Sequence, residues 1–333
     1  MSILSYSFVA FLAAFLGCAL MTAILIPRLR AMKMGQKILE IGPVWHTPKE
    51  GTPTMGGISF LAASLLSGAV LSPFLLREYT LEEVYPFIVT LLYCIANGAI
   101  GIIDDLTKLR HHRNEGLTPT QKLVLQTTLA AAYLALMRLC GQVNDALSLP
   151  FVGEFPLGFA TYAILMLLLV GMTNCANLTD GIDGLASSIG AIICASFALF
   201  SIWRSLLAPA ILSSLLFGCS LAFLFFNRHP ARIFMGDTGS LFIGAAVGAV
   251  PILLHSPLLG IICGFLYVFE GVSVLLQVAY YKRTRKRLFL MAPIHHHFEK
   301  CGWSENKIVA VFSLITLLAC VLAAFLPQTE GWI

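Results

Sequence analysis

Two aspartates stand side by side where an apolar run ends, in GAIGIIDDLTK at residues 98–108, with Lys108 one helical turn beyond Asp104. Successive helical residues point about 100° apart, so one carboxylate can face a cavity while its neighbour holds a metal ion or a lysine. A second set lies in TNCANLTDGIDGL, where Asp180 and Asp183 share a face if the segment is helical and Asn177 extends the row. A third, FFNRHPARIFMGDTGS, carries Asn227 and Asp237. Asp237 reads there as the N-cap of a following helix, a place where the helix dipole favours an anion. The fourth stretch, MAPIHHHFEK, supplies His295, His296 and His297. Three consecutive side chains cannot all face one zinc ion from a helix, so donation to phosphate is the better use for them. Carboxylates and amides with few thiolates suit a hard ion, Mg²⁺ or Mn²⁺, and Mg²⁺ is usually held by one or two carboxylates together with substrate phosphates. No G-x-x-x-x-G-K-[ST] run is present, so an ATP-binding P-loop is not supported.

Each stretch also has a plainer reading. Asp104 and Asp105 would cap a membrane span while Lys108 snorkels beside them. Asp-Gly is a common turn dipeptide between spans. What favours a shared site is the placement of the four stretches along the chain.

That placement follows from the elements. The 333 residues are 58% hydrophobic and 11% charged, against about 25% charged in an ordinary globular protein. The mean hydropathy is +0.86. Repeated apolar runs long enough to cross about 30 Å of hydrocarbon predict an all-α polytopic membrane protein, one integral membrane domain over residues 1–333. Ten spans are expected, near 4–26, 57–76, 86–103, 121–140, 159–176, 184–203, 209–226, 239–255, 258–281 and 307–326. Residues 1–27 hold no Lys or Arg, so the first run reads as a retained span rather than a leader. With both termini outside, 18 of the 21 Lys and Arg fall on inner segments and only Arg77, Arg138 and Arg204 outside, as the positive-inside rule requires. All four polar stretches then lie on the inner, cytoplasmic face. Lys49 and Lys122 join Lys108 there, which suggests a nucleoside diphosphate meeting a lipid. The outer segment GQVNDALSLPFVGEFPLG alternates around Gly153 and predicts a small hairpin. Nine cysteines without a CxxC pair read as core packing. The net charge of +4 is too small to suggest nucleic acid.

GIIDDLTK, NLTDGIDGL, FNRHPARIFMGDTGS and MAPIHHHFE, with TPTMGG in the first inner loop, resemble the polyprenyl-phosphate N-acetylhexosamine-1-phosphate transferases. The likeness is greatest to the phospho-N-acetylmuramoyl-pentapeptide transferase branch, and it runs over essentially the whole chain in matching order. Ala292 stands where that branch is expected to carry threonine, a change that disturbs nothing chemical. The resemblance implies transfer of phospho-N-acetylmuramoyl-pentapeptide from UDP-MurNAc-pentapeptide to undecaprenyl phosphate, giving lipid I and UMP with Mg²⁺ required. That is the first membrane step of peptidoglycan synthesis, in the bacterial cytoplasmic membrane. It also implies a homodimer and a broken ninth span, for which Glu270-Gly271 is a candidate position, although a buried polar contact would explain that pair equally.

For the site, Asp104 is expected as the base and Asp105 as its neighbour toward the metal, with the reverse assignment open. Asp237 is expected as the direct Mg²⁺ ligand. A two-step route through an aspartyl phosphate stays open. The resemblance places the nucleotide near Asn177, Asp180, Asp183, Asn227 and Phe234. A carboxylate such as Asp183 could accept the uracil N3–H, Lys49 could donate to a uracil carbonyl, and Phe234 offers a stacking face. Thr54, Asn177 and Asp180 then lie near the ribose, while Lys122 and the three histidines serve as phosphate donors. Three further activities fit parts of the pattern. A sister transferase would use UDP-N-acetylglucosamine, and a secondary transporter would place acids near the bilayer midplane in paired halves. A membrane hydrolase would use the same acids with water.

Overall fold

The computed structural model describes residues 2–32, 49–110, 116–149 and 153–326. Among them the chain forms twelve helices and one hairpin: α1 (Ile3–Ala31), α2 (Ile58–Glu78), α3 (Leu81–Arg110), α4 (Pro119–Leu139), β1 (Ala146–Leu149), β2 (Gly153–Pro156), α5 (Phe159–Thr179), α6 (Leu185–Trp203), α7 (Leu207–Asn227), α8 (Gly236–Leu253), α9 (Pro257–Cys263), α10 (Phe265–Thr284), α11 (Ile294–Lys300) and α12 (Glu305–Ala324). Local sequence sets many of the helix starts. Thr118 and Gln121 form a reciprocal capping box at α4 with Pro119 behind it, and Ser304 caps α12 through the Lys307 amide.

Among the described residues eight helices are long and apolar enough to cross a membrane, and the bent pair α9–α10 passes the same test if it is one span. The chain is therefore a polytopic helical membrane protein. α4 has spanning length at 21 residues, but Gln121, Lys122, Gln126 and Arg138 lower its hydropathy below that of the others. The expected hairpin is present, with Ala146 opposite Pro156 and Leu149 opposite Gly153 in antiparallel register. The α9–α10 pair is bent, but not at the candidate position Glu270-Gly271. The 76° bend falls at Gly264, and Glu270 and Gly271 lie inside α10. The polar contact is what explains that pair: Glu270 is fully buried against His295.

α8 is the axis of the bundle. Within its apolar window 89% of residues are buried, against 28% for α1 and α12. Lipid tails are as apolar as leucine, so membrane helices associate through close packing of small residues rather than by the hydrophobic effect alone. The sequence GDTGSLFIGAAVGAV of α8 provides that surface. A Cβ at Gly244 would lie 2.6 Å from the Thr173 Cα, so α5 approaches α8 to backbone contact there. The outer helices carry their large apolar side chains outward, as Leu4, Phe8, Leu16 and Leu20 do on α1. Those faces suit acyl chains.

Candidate active site

The C-terminal end of α3 crosses the N-terminal end of α8 at Gly101, where a Cβ would stand 2.3 Å from the Asp237 carbonyl oxygen. That approach lets Asp105 reach the first turn of α8. Its Oδ1 accepts from the Asp237 amide at 3.2 Å, and its Oδ2 accepts from the Thr238 amide at 3.0 Å and the Thr238 hydroxyl at 2.7 Å. A helix leaves its first amides without intrahelical acceptors. Here a carboxylate from a neighbouring helix satisfies them. Asp237 is therefore not the N-cap that the sequence suggested: it is the second residue of α8, and Asp105 supplies the cap from outside. Gly236 has φ +71°, and a Cβ there would sit 2.7 Å from Asp105 Oδ2, so both conformation and space require glycine.

Asp104 lies on the next face of α3. Its Oδ1 accepts from the Leu117 amide at 2.7 Å, while its Oδ2 pairs with Lys108 at 2.6 Å and Lys122 at 3.0 Å. Both ammonium groups also reach Asp237 Oδ2, Lys122 at 2.5 Å and Lys108 at 3.1 Å. The other Asp237 oxygen accepts from Asn177 Nδ2 at 3.0 Å, and the same Asn177 nitrogen lies 2.8 Å from Ser240 Oγ. Asp104 is fully buried, whereas the Asp237 side chain keeps 15% of its surface. One oxygen from each of Asp104, Asp105 and Asp237 lies within 4.8 Å of the others. An oxygen-only donor set of this size suits Mg²⁺. Asp237 fits that role best, because its side chain alone of the three stays partly open, whereas both oxygens of Asp105 serve α8 and both of Asp104 serve the Leu117 amide and the two lysines. The ligand pair expected from the sequence, Asp237 with Asp105, lies within this cluster.

The segment before α2 reaches the site through backbone pairing. Phe234 donates to the Pro53 carbonyl at 2.8 Å, and Gly56 and Gly57 donate to Phe234 and Met235 at 2.9 Å each. This brings Thr54 beside Gly236, to within 3.1 Å of the position a Cβ would take there. Asp180, just beyond α5, accepts from the Gly236 backbone. Burial, then the negative charges of Asp237, Asp105 and Asp183, holds its carboxyl up at about 7. An acid raised in the folded state stabilises fully below its unfolded value near 4, and that stability is lost as pH rises through 7. We expect Asp180→Asn to unfold like wild type near pH 4 and at a higher temperature than wild type at pH 8 in EDTA. Thermal unfolding in detergent at several pH values checks this; melting curves offset equally at every pH would contradict it.

A second cluster forms where four loops meet. Lys49 Nζ lies 2.7 Å from both Asp183 Oδ1 and Glu305, and His229 Nδ1 is 3.1 Å from Asp183 Oδ2. Asn227, buried, accepts from the Gly184 amide and the Ser187 hydroxyl and donates to the Ile233 carbonyl. Its amide braces the two loops that carry Asp183 and Phe234.

The three histidines diverge, as their adjacency requires. His295 is buried, 3.1 Å from Glu270, with its ring against Gly181 in the loop between Asp180 and Asp183. His296 pairs with Glu299 at 2.5 Å, and His297 accepts from the Leu290 amide at 3.1 Å. His295 is the one whose ring is seen to touch the Asp180–Asp183 loop, at Gly181. Sequence reasoning passed over Glu305, His229 and Glu270. His229 sits within a polar stretch and was legible there, but Glu305 reads as an ordinary first-turn acid, and Glu270 was noted as a possible break or buried polar contact without a partner.

A glycosyl transferase family 4 model matches residues 87–255, and a phospho-N-acetylmuramoyl-pentapeptide-transferase signature matches residues 49–61. These spans include Lys49, both aspartate pairs, Asp237 and the bracing Asn227. The chain is 40% identical to a phospho-N-acetylmuramoyl-pentapeptide-transferase of Clostridium perfringens over 94% of its own length and 96% of that protein. It is also 40% identical to the Bacillus subtilis protein of the same name, over 97% of each. At 38% identity, the Caldicellulosiruptor bescii protein covers 96% of the chain and 97% of its own length. With its helical bundle and its carboxylate–ammonium site, the chain belongs to the phospho-N-acetylmuramoyl-pentapeptide-transferase family, a branch of glycosyl transferase family 4.

Proposed function

We propose that this protein transfers phospho-N-acetylmuramoyl-pentapeptide from UDP-MurNAc-pentapeptide to undecaprenyl phosphate, releasing UMP and forming lipid I. One observation carries the reading: Asp104 and Asp237 share Lys108 and Lys122 beside a second cluster, Lys49–Asp183, that can read a base. In the transfer, an oxygen of the lipid phosphate forms a bond to the sugar-bearing phosphorus. The bond from that phosphorus to the bridging oxygen breaks, and UMP leaves. Such chemistry depends on positioning and charge neutralisation more than on covalent help from the protein.

Lys108 and Lys122 neutralise carboxylates in the free protein and are the cations available to the incoming diphosphate. Asp104 takes the proton of a singly protonated lipid phosphate. Asp105 holds the first turn of α8, and with it Asp237, in place. Asp237 would hold Mg²⁺, which when bound supplies charge neutralisation to the diphosphate. Asp183 accepts from uracil N3–H, Lys49 donates to a carbonyl of the base, and Phe234 stacks on it. Thr54, Asn177 and Asp180 line the path between base and phosphates. His295 supports the Asp180–Asp183 loop, and His296 and His297 serve the phosphates or the sugar.

The reading includes ten spans in the bacterial cytoplasmic membrane, both termini outside and the site facing the cytoplasm. The distribution of Lys and Arg supports it. In a background without accessible native cysteines, a cysteine placed beside Asp180 is expected to resist an impermeant thiol reagent in intact cells, and one beside Glu82 to react. The opposite pattern would put the site on the wrong side for a cytoplasmic nucleotide. Donor identity is tested by offering the purified protein undecaprenyl phosphate with each UDP-sugar in turn. UMP release with UDP-MurNAc-pentapeptide and not with UDP-N-acetylglucosamine is expected; the reverse preference would move the protein to the sister activity.

A further inference from the structure

Glu305 is the first residue of α12, and Ser304 already caps that helix. An acid in a first turn stabilises its own helix through the dipole, and that role needs no contact elsewhere. Glu305 nevertheless reaches across to other segments. It accepts from Lys49 at 2.7 Å and from the Asp183 amide at 3.0 Å, and it stands 3.7 Å from His229 Nδ1. Only 12% of its side chain is exposed. Lys49 comes from the first inner loop, Asp183 from the α5–α6 turn and His229 from the α7–α8 connection. One carboxylate on a fourth segment therefore ties together three others.

The charge balance gives this brace a purpose. Asp183 Oδ1 faces Lys49, while its Oδ2 accepts from the Ala231 amide at 2.9 Å and lies 3.1 Å from His229. Were Lys49 paired with Asp183 alone, the ammonium would neutralise the carboxylate that must accept a base N–H. With Glu305 present, two carboxylates share one ammonium and the pair keeps net negative charge. The same sharing places the ammonium midway between two carboxylates rather than in one closed ion pair. The base end of the site is thus acceptor-rich, and the phosphate end carries Lys108 and Lys122. That polarity orients a nucleotide in one direction only.

We propose that Glu305 is a positioning residue for the nucleotide base, holding Lys49 and the Asp183 loop in the geometry that reads uracil. The proposal rests on the reading above that Lys49 and Asp183 hold the base. Glu305→Gln keeps an oxygen for the Asp183 amide but gives up the charge that attracts Lys49. It is expected to raise the KM for the UDP-linked donor and the Kd for UMP about tenfold, roughly 1.4 kcal/mol. The KM for the lipid phosphate should stay within about twofold and kcat within about threefold. A merely structural role would lower kcat and raise both KM values together.

The experiment measures UMP binding and full steady-state kinetics for wild type, E305Q, E305D and Asp183→Asn, each in detergent as the full chain. Weakened UMP binding in E305Q and Asp183→Asn, with lipid KM unchanged in E305Q, supports the proposal. Weakened binding in Asp183→Asn with E305Q like wild type overturns it and leaves the base site standing. Unchanged UMP binding in both removes the base-site reading, and the proposal with it. If E305Q does not fold, E305D decides: it keeps the charge but withdraws it by one methylene from Lys49, and wild-type UMP binding there counts against the proposal.

Discussion

Asp237→Asn is expected to abolish turnover while leaving the protein folded. The amide preserves the shape of the side chain and its contact with Asn177, so α8 keeps its first turn. What disappears is the charge that Lys108 and Lys122 share in the free protein and that Mg²⁺ would take up with substrate bound. Asp237 is also the member of the carboxylate cluster whose side chain stays partly open, at 15% exposure, where a ligand can reach it. A loss of roughly 1,000-fold or more corresponds to about 4 kcal/mol of transition-state stabilisation. The measurement is a magnesium titration of rate for variant and wild type, with thermal unfolding as the control for folding. A variant that turns over like wild type across the titration removes Asp237 from the metal and phosphate machinery.

Asp104→Asn and Asp105→Asn are expected to separate by pH. A base matters while its target is protonated, and a phosphate monoester has its second pKa near 6. Asp104→Asn should therefore lose far more activity at pH 6 than at pH 8.5, where solvent has removed the proton. The structure gives Asp105 a different task, since both its oxygens serve the Asp237 and Thr238 amides and the Thr238 hydroxyl. Asp105→Asn should lose activity evenly across pH. It should also lower thermal stability by about 1 kcal/mol, as loss of a helix cap does. Added Mg²⁺ is not expected to restore it. Rate–pH profiles at saturating lipid, under conditions where chemistry limits the rate, make the comparison. Equal and pH-independent losses in both variants would defeat the division of roles. A phosphorylated enzyme trapped without lipid acceptor would instead make an aspartate the nucleophile.

The aspartate pairs and Asp237 were legible because a charge beside an apolar run is costly and so stands out. Their convergence was legible from topology, since alternating spans return successive loops to one face. The roles within the pair were not. Whether Asp105 faces a metal or a helix end depends on how closely α3 and α8 approach, and that is set by Gly101 and Gly236, whose importance appears only when both helices are in place. The same holds for Asp237, which reads as a cap until Asp105 is seen to be the cap. Glu270-Gly271 stood as a candidate for the ninth-span break, with a buried polar contact as the equal alternative, because an acid in an apolar run fits either. The actual bend at Gly264 leaves Glu270 in regular helix, where His295 is its partner from 25 residues further along the chain. Glu305 was invisible for a related reason. Its partners are distant in sequence, 122 residues away for the Asp183 amide and 256 for Lys49.

The central claim is that one carboxylate–lysine site joins a nucleotide-linked sugar phosphate to a lipid phosphate. The most direct measurement incubates the purified protein with UDP-MurNAc-pentapeptide and Mg²⁺, with and without undecaprenyl phosphate, and quantifies UMP and lipid product together. The expected result is one UMP for each lipid diphosphate formed, and no sustained UMP release when the lipid is left out. Sustained UMP release without lipid, accompanied by free sugar phosphate, would make the protein a hydrolase and contradict the account.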